Sequence, residues 1–184
     1  FAHCSKSGAK FDFEKAKWFN HEYLMATDDA ALAQLFKPVL AEHVDVAQFT
    51  DEYIAEAVGT VKNRINFVKD LWTNAAFYFQ APVEYAPKDV KKRWKEDTPK
   101  LMGELITVLE GIADFSDAAA TEATVMAWIK GNEYHMGNVM NAFRLTVVGE
   151  CKGPHMFEIT RLLGKEETIA RIKRGVEAIH LPNE

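Results

Sequence analysis

Apolar side chains recur at helical spacing along most of this chain, and no other feature of the sequence constrains its fold as much. Residues three or four positions apart share one face of an α-helix. The pattern is clear over residues 53–61 and continues over 65–79. Its apolar members in the first run are Tyr53, Ile54, Ala57, Val58 and Val61. The sequence therefore predicts an all-α fold.

Helix-start signals divide these periodic stretches. Thr27, Thr50, Thr98 and Thr121 are each followed by an acidic residue or a proline. A threonine hydroxyl caps the first free N–H groups, and acidic residues or proline suit the first helical turn. We therefore predict that a helix begins at each of these four positions.

Four further helices are predicted in the remaining periodic segments. Residues 88–94 read as a short basic helix, and Gly164 ends a short helix before a last one over 165–179. Residues 145–148 favour a strand, but the apolar positions of 138–148 share one helical face, so we predict a helix there as well.

The chain is long enough for one large or two small domains. Its 184 residues include 48% hydrophobic and 27% charged residues, which is typical of a folded protein. The segment 111–121, rich in Ala and Asp, is the best candidate for a boundary. We therefore predict two helical subdomains, over 27–115 and 116–184, with 1–26 as a separate leading region.

Several classes of site lack their sequence signatures here. No G-x-G-x-x-G or P-loop pattern occurs, and Cys4 and Cys151 are far apart with no metal-ligand spacing around them. We therefore predict no catalytic residue, no cofactor-binding residue and no metal ligand in this chain. The absence of a long apolar run and of a signal peptide leads us to expect no membrane contact and a cytoplasmic location. The basic stretch 5–10 reads as a lead-in to the first helix.

The net charge of −5 argues against nucleic-acid binding, but the charge is uneven. Residues 130–184 hold eight Lys and Arg against seven Asp and Glu, so the carboxyl-terminal third repels phosphates less than the rest.

The stretch GECKGPHMF, residues 149–157, has an unusual order of residue types. Gly149, Gly153 and Pro154 set a turn, and His155, Met156 and Phe157 follow it at once. Apolar residues placed directly after such a turn either fill a core or meet a binding partner.

Three segments together resemble the carboxyl-terminal half of bacterial glutamyl-tRNA synthetases. FDFEKAKWFNHEYL (11–24) is similar to a pattern just downstream of that family's catalytic half, and 61–79 is similar to one of its helices. The most specific match is FRLTVVGECKGPHMFEITRLLGKEETIARI (143–172), which is similar to the family's L-R…G-P-x-L-F-E…L-L-G-K-E block. Ala142–Phe143 and Thr146–Gly149 depart from the family pattern.

This resemblance implies an all-α, cage-like anticodon-binding half, with residues 1–26 as the end of the linker and stem-contact region. The partner would be a glutamate-accepting tRNA, with no DNA or membrane partner, and the chain would be a monomer. ATP and Mg²⁺ would act in the catalytic half that this chain lacks, so the chain alone would be inactive. A start at Phe1 agrees with a chain cut from a longer one.

By resemblance, five residues would contact the anticodon: Arg64, Arg144, Pro154, Met156 and Phe157. Unstacked bases are held by aromatic or guanidinium planes and by hydrogen bonds to their edges, and these residue types suit that task. Four more would contact the RNA backbone or loop: His135, Lys152, Arg161 and Lys165.

Each of these residues also has a structural alternative. Phe157 could fill the core, Pro154 could start a helix, and the four backbone candidates could be solvated surface groups. Arg144 could pair with Glu150 or Glu158, and Arg64 with Asp70 or Glu56. The four tryptophans, Trp18, Trp72, Trp94 and Trp128, fit core or interdomain packing.

Two other functions remain open. An all-α protein–protein interaction module is favoured by the net acidity and would show a contiguous apolar patch. A small enzyme would show carboxylates clustered in a deep pocket.

Overall fold

The computed structural model describes residues 12–180, and all of its regular structure in that range is helical. This confirms the predicted fold class. The predictions for residues 1–11, including the basic lead-in, lie outside the described residues. No helix within 12–180 has the length and apolar character needed to cross a membrane.

Ten α-helices follow one another within residues 12–180. They are α1 (Phe13–Ala26), α2 (Asp29–Leu40), α3 (Asp51–Val61), α4 (Asp70–Phe79), α5 (Pro87–Arg93), α6 (Thr98–Glu110), α7 (Ala118–Gly131), α8 (Met136–Val148), α9 (Met156–Leu163) and α10 (Lys165–Ala178). Single 3-10 turns occur at Val46–Gln48 and Lys62–Arg64. The helix predicted over 138–148 is therefore confirmed as α8.

Side-chain caps explain five of the ten helix starts within the described residues. Asp28 accepts hydrogen bonds from the backbone N–H groups of Ala30 and Ala31, and Thr50 accepts one from Tyr53. The predicted start of α7 at Thr121 is wrong by three residues. Asp117 is the true cap and accepts a hydrogen bond from the N–H of Ala120 at 2.9 Å.

The helical spacing over 65–79 does not produce one continuous helix. The chain leaves α3 through the 3-10 turn and α4 begins only at Asp70. The carboxylate of Asp70 accepts hydrogen bonds from the N–H groups of Asn66 and Phe67, at 3.0 and 2.9 Å. This side chain takes the place of helical backbone partners, so residues 65–69 form a loop that carries Arg64 at its start.

Packing between helices builds one hydrophobic cluster that runs from Leu24 to Ile179. Helices α2, α3 and α4 pack on one another, and α3 and α4 also contact α9. Helices α6, α8 and α10 form a second group, to which α7 and α9 add. Residues on both sides of 111–121 therefore contribute to the same buried cluster, and the division into subdomains at that segment stays a prediction.

Candidate nucleic-acid interface

The turn that joins α8 to α9, residues 149–155, is held in a conformation that requires glycine. Gly149 ends α8 with φ of +94°, and its N–H donates to the carbonyl of Leu145. A Cβ at this position would lie 3.0 Å from both the Glu84 carbonyl oxygen and the Pro82 Cβ. The turn is therefore pressed against the segment that leads into α5.

Two hydrogen bonds attach the turn to α5. The N–H of Ala86 donates to the carbonyl oxygen of Gly149 at 2.8 Å. The N–H of Cys151 donates to Oδ2 of Asp89 at 2.7 Å. Burial and the Asp89 carboxylate raise the pKa of the Cys151 thiol to about 11. The thiol therefore stays protonated at neutral pH and contacts the carbonyl oxygen of Asn141 at 3.6 Å.

Arg64 and Arg144 meet at Gly153, in the middle of the turn. Nη2 of Arg64 donates to the Gly153 carbonyl oxygen at 2.8 Å, across 89 positions of sequence. On the other side, Nη1 of Arg144 lies 3.0 Å from the place where a Cβ on Gly153 would be. Gly153 also has φ of +137°, which favours glycine. The structure thus brings two of the predicted anticodon residues to a single point.

Arg144 has an unusual polar environment. Its Nη1 atom is buried and has no hydrogen-bond partner within the described residues. Burial lowers the pKa of the guanidinium, and the charge of Arg64 lowers it further. An unsatisfied buried donor costs about 1–3 kcal/mol, so a rearrangement of the turn that gave this atom an acceptor would lower the free energy.

Three of the four carboxylates that could have neutralised these two arginines are engaged elsewhere, and the fourth, Glu150, forms no ion pair with any described residue. Glu56 and Glu158 both pair with Arg161, at 2.7 and 3.0 Å. Asp70 accepts the backbone hydrogen bonds described above. Among residues 12–180, no carboxylate lies within ion-pair distance of either arginine. Two positive charges therefore remain uncompensated beside the turn.

Met156 and Phe157 lie in the core. They are 2% and 1% exposed, and Phe157 packs edge to face on Phe143 with ring centroids 6.2 Å apart. Pro154 is buried as well. Neither Met156 nor Phe157 offers a face to a base in this conformation, and the core-filling alternative describes Phe157 here. A role in anticodon binding for these three residues stays a prediction, and it would act through the backbone that they anchor.

Of the four backbone candidates, three have partners within the protein. His135 caps α8 by accepting from the N–H of Asn138 at 3.3 Å, and Lys165 donates to the Ile112 carbonyl oxygen at 2.8 Å. Arg161 carries the two ion pairs already described. Lys152 differs, because it is exposed on the turn and forms no ion pair with any described residue. Arg64, Arg144 and Lys152 thus form one cationic group, called here the cationic turn site.

Asp89, on α5, holds the turn through its carboxylate, and the sequence patterns did not predict this role. A signal was present, because Asp89 is the sole acidic residue of the basic stretch 88–94. Its partner lies 62 positions away, however, and no local spacing indicates that contact. Within residues 12–180, no group of three or more His, Cys, Asp or Glu side chains is arranged to hold a metal ion.

Comparison with known proteins identifies the family of this chain. Residues 31–176 match the family model of the anticodon binding domain. The glutamate–tRNA ligase of Porphyromonas gingivalis is 54% identical over 176 residues, which are 96% of this chain and 34% of that protein. The ligase of Bacteroides fragilis is 57% identical over the same extent. The chain therefore spans about a third of the length of these relatives.

Solved structures agree with the sequence comparison. The crystal structure of a glutamate tRNA ligase from Elizabethkingia meningosepticum in complex with its amino acid superposes with a TM-score of 0.85 at 37% identity. That superposition covers 95% of this chain and 34% of the other. The family match begins within α2 and ends within α10, so it takes in the cationic turn site. The chain therefore belongs to the family of anticodon-binding domains.

Proposed function

We propose that this chain recognises the anticodon of a glutamate-accepting tRNA as one part of a glutamate–tRNA ligase. The observation that carries the proposal is the meeting of Arg64 and Arg144 at the Gly153 turn, with no carboxylate of residues 12–180 within ion-pair distance of either guanidinium. Family membership and the glutamate–tRNA ligases among the relatives support the choice of ligand.

Recognition in this proposal divides between the arginines and the lysine. An anticodon loop presents unstacked bases whose edges carry hydrogen-bond acceptors. Arg64 uses Nη2 to hold the turn, and its other N–H groups are free to face a base edge. Arg144 gains the acceptor that the protein does not give it. Lys152, exposed beside them, suits a phosphate.

The buried residues of the turn have a supporting role in this proposal. Pro154, Met156 and Phe157 fix the backbone of residues 152–155 by filling the core beneath it. Ligand contact by this part of the turn would therefore come from backbone groups and from Lys152. Rigid support of this kind limits the entropy lost on binding.

The chemistry of the proposed ligase belongs to the part of the longer protein that this chain does not cover. Joining glutamate to tRNA would there use ATP and Mg²⁺, in the cytoplasm. Our proposal gives the present chain recognition and orientation of the tRNA, with no bond made or broken by its own residues.

One observation favours a second function, contact with another protein surface. Helix α1 exposes four large apolar side chains by more than half: Phe13, Trp18, Phe19 and Tyr23. This helix precedes the family match, which starts at residue 31. Exposed apolar clusters of this kind mark interaction surfaces. Helix α1 is next to the segment that carries Arg64, because His21 lies 2.6 Å from the Ile65 carbonyl oxygen, so the two functions would use neighbouring surfaces.

A titration with two tRNAs tests the proposed function. The 184-residue chain is titrated with a glutamate-accepting tRNA and with the same tRNA carrying altered anticodon bases. We expect a preference for the native anticodon, which Arg144→Ala reduces by roughly tenfold, since a bidentate base contact contributes about 1–3 kcal/mol.

The matched control is Arg174→Ala, which removes the same charge from a residue paired with Glu167 on α10. We expect this control to leave the preference unchanged. Equal binding of both tRNAs by the unaltered chain would overturn the proposed function.

A further inference from the structure

The turn depends on a carboxylate that itself lies outside the cationic turn site. Asp89 sits in the first turn of α5, and its Oδ2 accepts the N–H of Cys151 at 2.7 Å. A hydrogen bond to an ionised carboxylate is shorter and stronger than one between neutral groups. It is also the one side-chain hydrogen bond to a backbone N–H of residues 149–155 within the described chain.

The contact reaches Arg64 in two short steps. Gly153 is two residues beyond Cys151, so its carbonyl lies within about 11 Å of chain from the tethered nitrogen. That carbonyl oxygen accepts from Nη2 of Arg64 and so fixes where the guanidinium points. Asp89 thus acts on Arg64 through Cys151 and Gly153.

The other anchors of the turn do not duplicate this restraint. The Ala86–Gly149 hydrogen bond holds the start of the turn, next to the end of α8. His155 lies 3.3 Å from Glu122 at the opposite end, where both side chains are substantially exposed. Between these two ends, Asp89 holds the backbone N–H of Cys151, and the other polar contacts of residues 151–153 are the Cys151 thiol, 3.6 Å from the Asn141 carbonyl oxygen, and the Arg64–Gly153 hydrogen bond.

We propose that Asp89 is a positioning residue for anticodon discrimination, setting the orientation of Arg64 through the backbone of Cys151 and Gly153. This inference rests on the proposed function. It does not require Asp89 to touch RNA, and it predicts that the carboxylate matters as a hydrogen-bond acceptor.

Three variants of the 184-residue chain test the acceptor role. Asp89→Ala removes the acceptor, while Asp89→Asn keeps an oxygen in nearly the same place. Asp45→Ala is the control, because Asp45 also accepts one backbone N–H, from Ala47 at 3.1 Å, in a separate 3-10 turn. Each of the three variants removes one negative charge, so any general gain in RNA affinity from the lost charge should be the same in all three.

The readout is the ratio of tRNA affinities for native and altered anticodons. We expect Asp89→Ala to lower this ratio by roughly tenfold, the size expected for losing a charge-assisted hydrogen bond. We expect Asp89→Asn and Asp45→Ala to stay within about twofold of the unaltered chain. An undiminished ratio in Asp89→Ala would overturn the inference alone. No preference in the unaltered chain would overturn the proposed function and this inference with it.

A double-mutant cycle separates positioning from a general structural effect. If Asp89 acts through Arg64, then Asp89→Ala lowers the ratio in the unaltered chain but has no further effect when Arg64→Ala is already present. Additive losses would contradict the proposal. Amide NMR shifts of Gly153 provide a readout without RNA. They should move in Asp89→Ala, stay near their original values in Asp89→Asn, and remain unchanged in Asp45→Ala.

Discussion

At the scale of the residue, Gly153 has little freedom to change. A Cβ there would approach Arg144 Nη1 to 3.0 Å, and the φ of +137° strains any residue with a side chain. We expect Gly153→Ala to destabilise the fold by about 1–2 kcal/mol and to weaken tRNA binding, because the backbone shift moves both arginines. Thermal unfolding and tRNA titration of the variant measure the two effects.

The control substitution is expected to change stability in the opposite direction. Gly103 lies on an exposed face of α6, and a Cβ there would meet nothing within 4 Å. Gly103→Ala should raise stability by about 0.5–1 kcal/mol, since alanine favours the helix. A Gly153→Ala variant as stable as Gly103→Ala would show that the turn can relax without cost.

At the scale of the element, the crossing of α8 and α10 depends on Gly175. A Cβ at this position would lie 2.6 Å from Cγ2 and 2.7 Å from Cβ of Thr146, both closer than packed atoms allow. The side chain of Thr146 is fully buried, so it cannot swing away. We expect Gly175→Ala to cost about 1–3 kcal/mol of unfolding free energy, despite the helix propensity of alanine. Denaturant unfolding measures this cost, and a gain in stability would mean that the helices can separate freely.

The helices also show how much of the fold could be predicted from the sequence. Helices such as α3 and α8 were predictable because the spacing of their apolar residues is local. The late start of α4 and the early start of α7 were missed because Asp70 and Asp117 act through side-chain hydrogen bonds that periodicity does not contain.

The candidate site was predictable only in part. Resemblance pointed to Arg64 and Arg144, and the structure places both at Gly153, across 89 positions in the case of Arg64. The burial of Phe157 could not be predicted, since an aromatic residue after a turn suits a core and a binding surface equally well. The tether from Asp89 is a tertiary contact with no local pattern.

At the scale of the whole molecule, the proposed binding of a polyanion by a chain of net charge −5 would depend on a small cationic area. The cationic turn site supplies three positive charges, from Arg64, Arg144 and Lys152. Release of counterions from a single-stranded loop gives a slope of about −0.7 per neutralised phosphate in log K against log salt, so the one phosphate contact proposed here, from Lys152, predicts a slope of about −0.7. Titration at several salt concentrations measures it, and a slope much steeper than this would mean that other parts of the surface contact the RNA.

The variant Lys152→Ala tests whether Lys152 contacts a phosphate or recognises a base. Removing a phosphate contact should make the salt slope shallower by about 0.7. It should also weaken the binding of the native and the altered tRNA equally, because phosphates carry no sequence information. Lys173→Ala, which removes the same charge from a residue 3.8 Å from Glu110, should leave the slope unchanged. A changed anticodon preference in Lys152→Ala would instead assign this lysine to a base. The turn would then read sequence with all three of its cations, and attraction to the tRNA backbone would have to come from elsewhere on the protein.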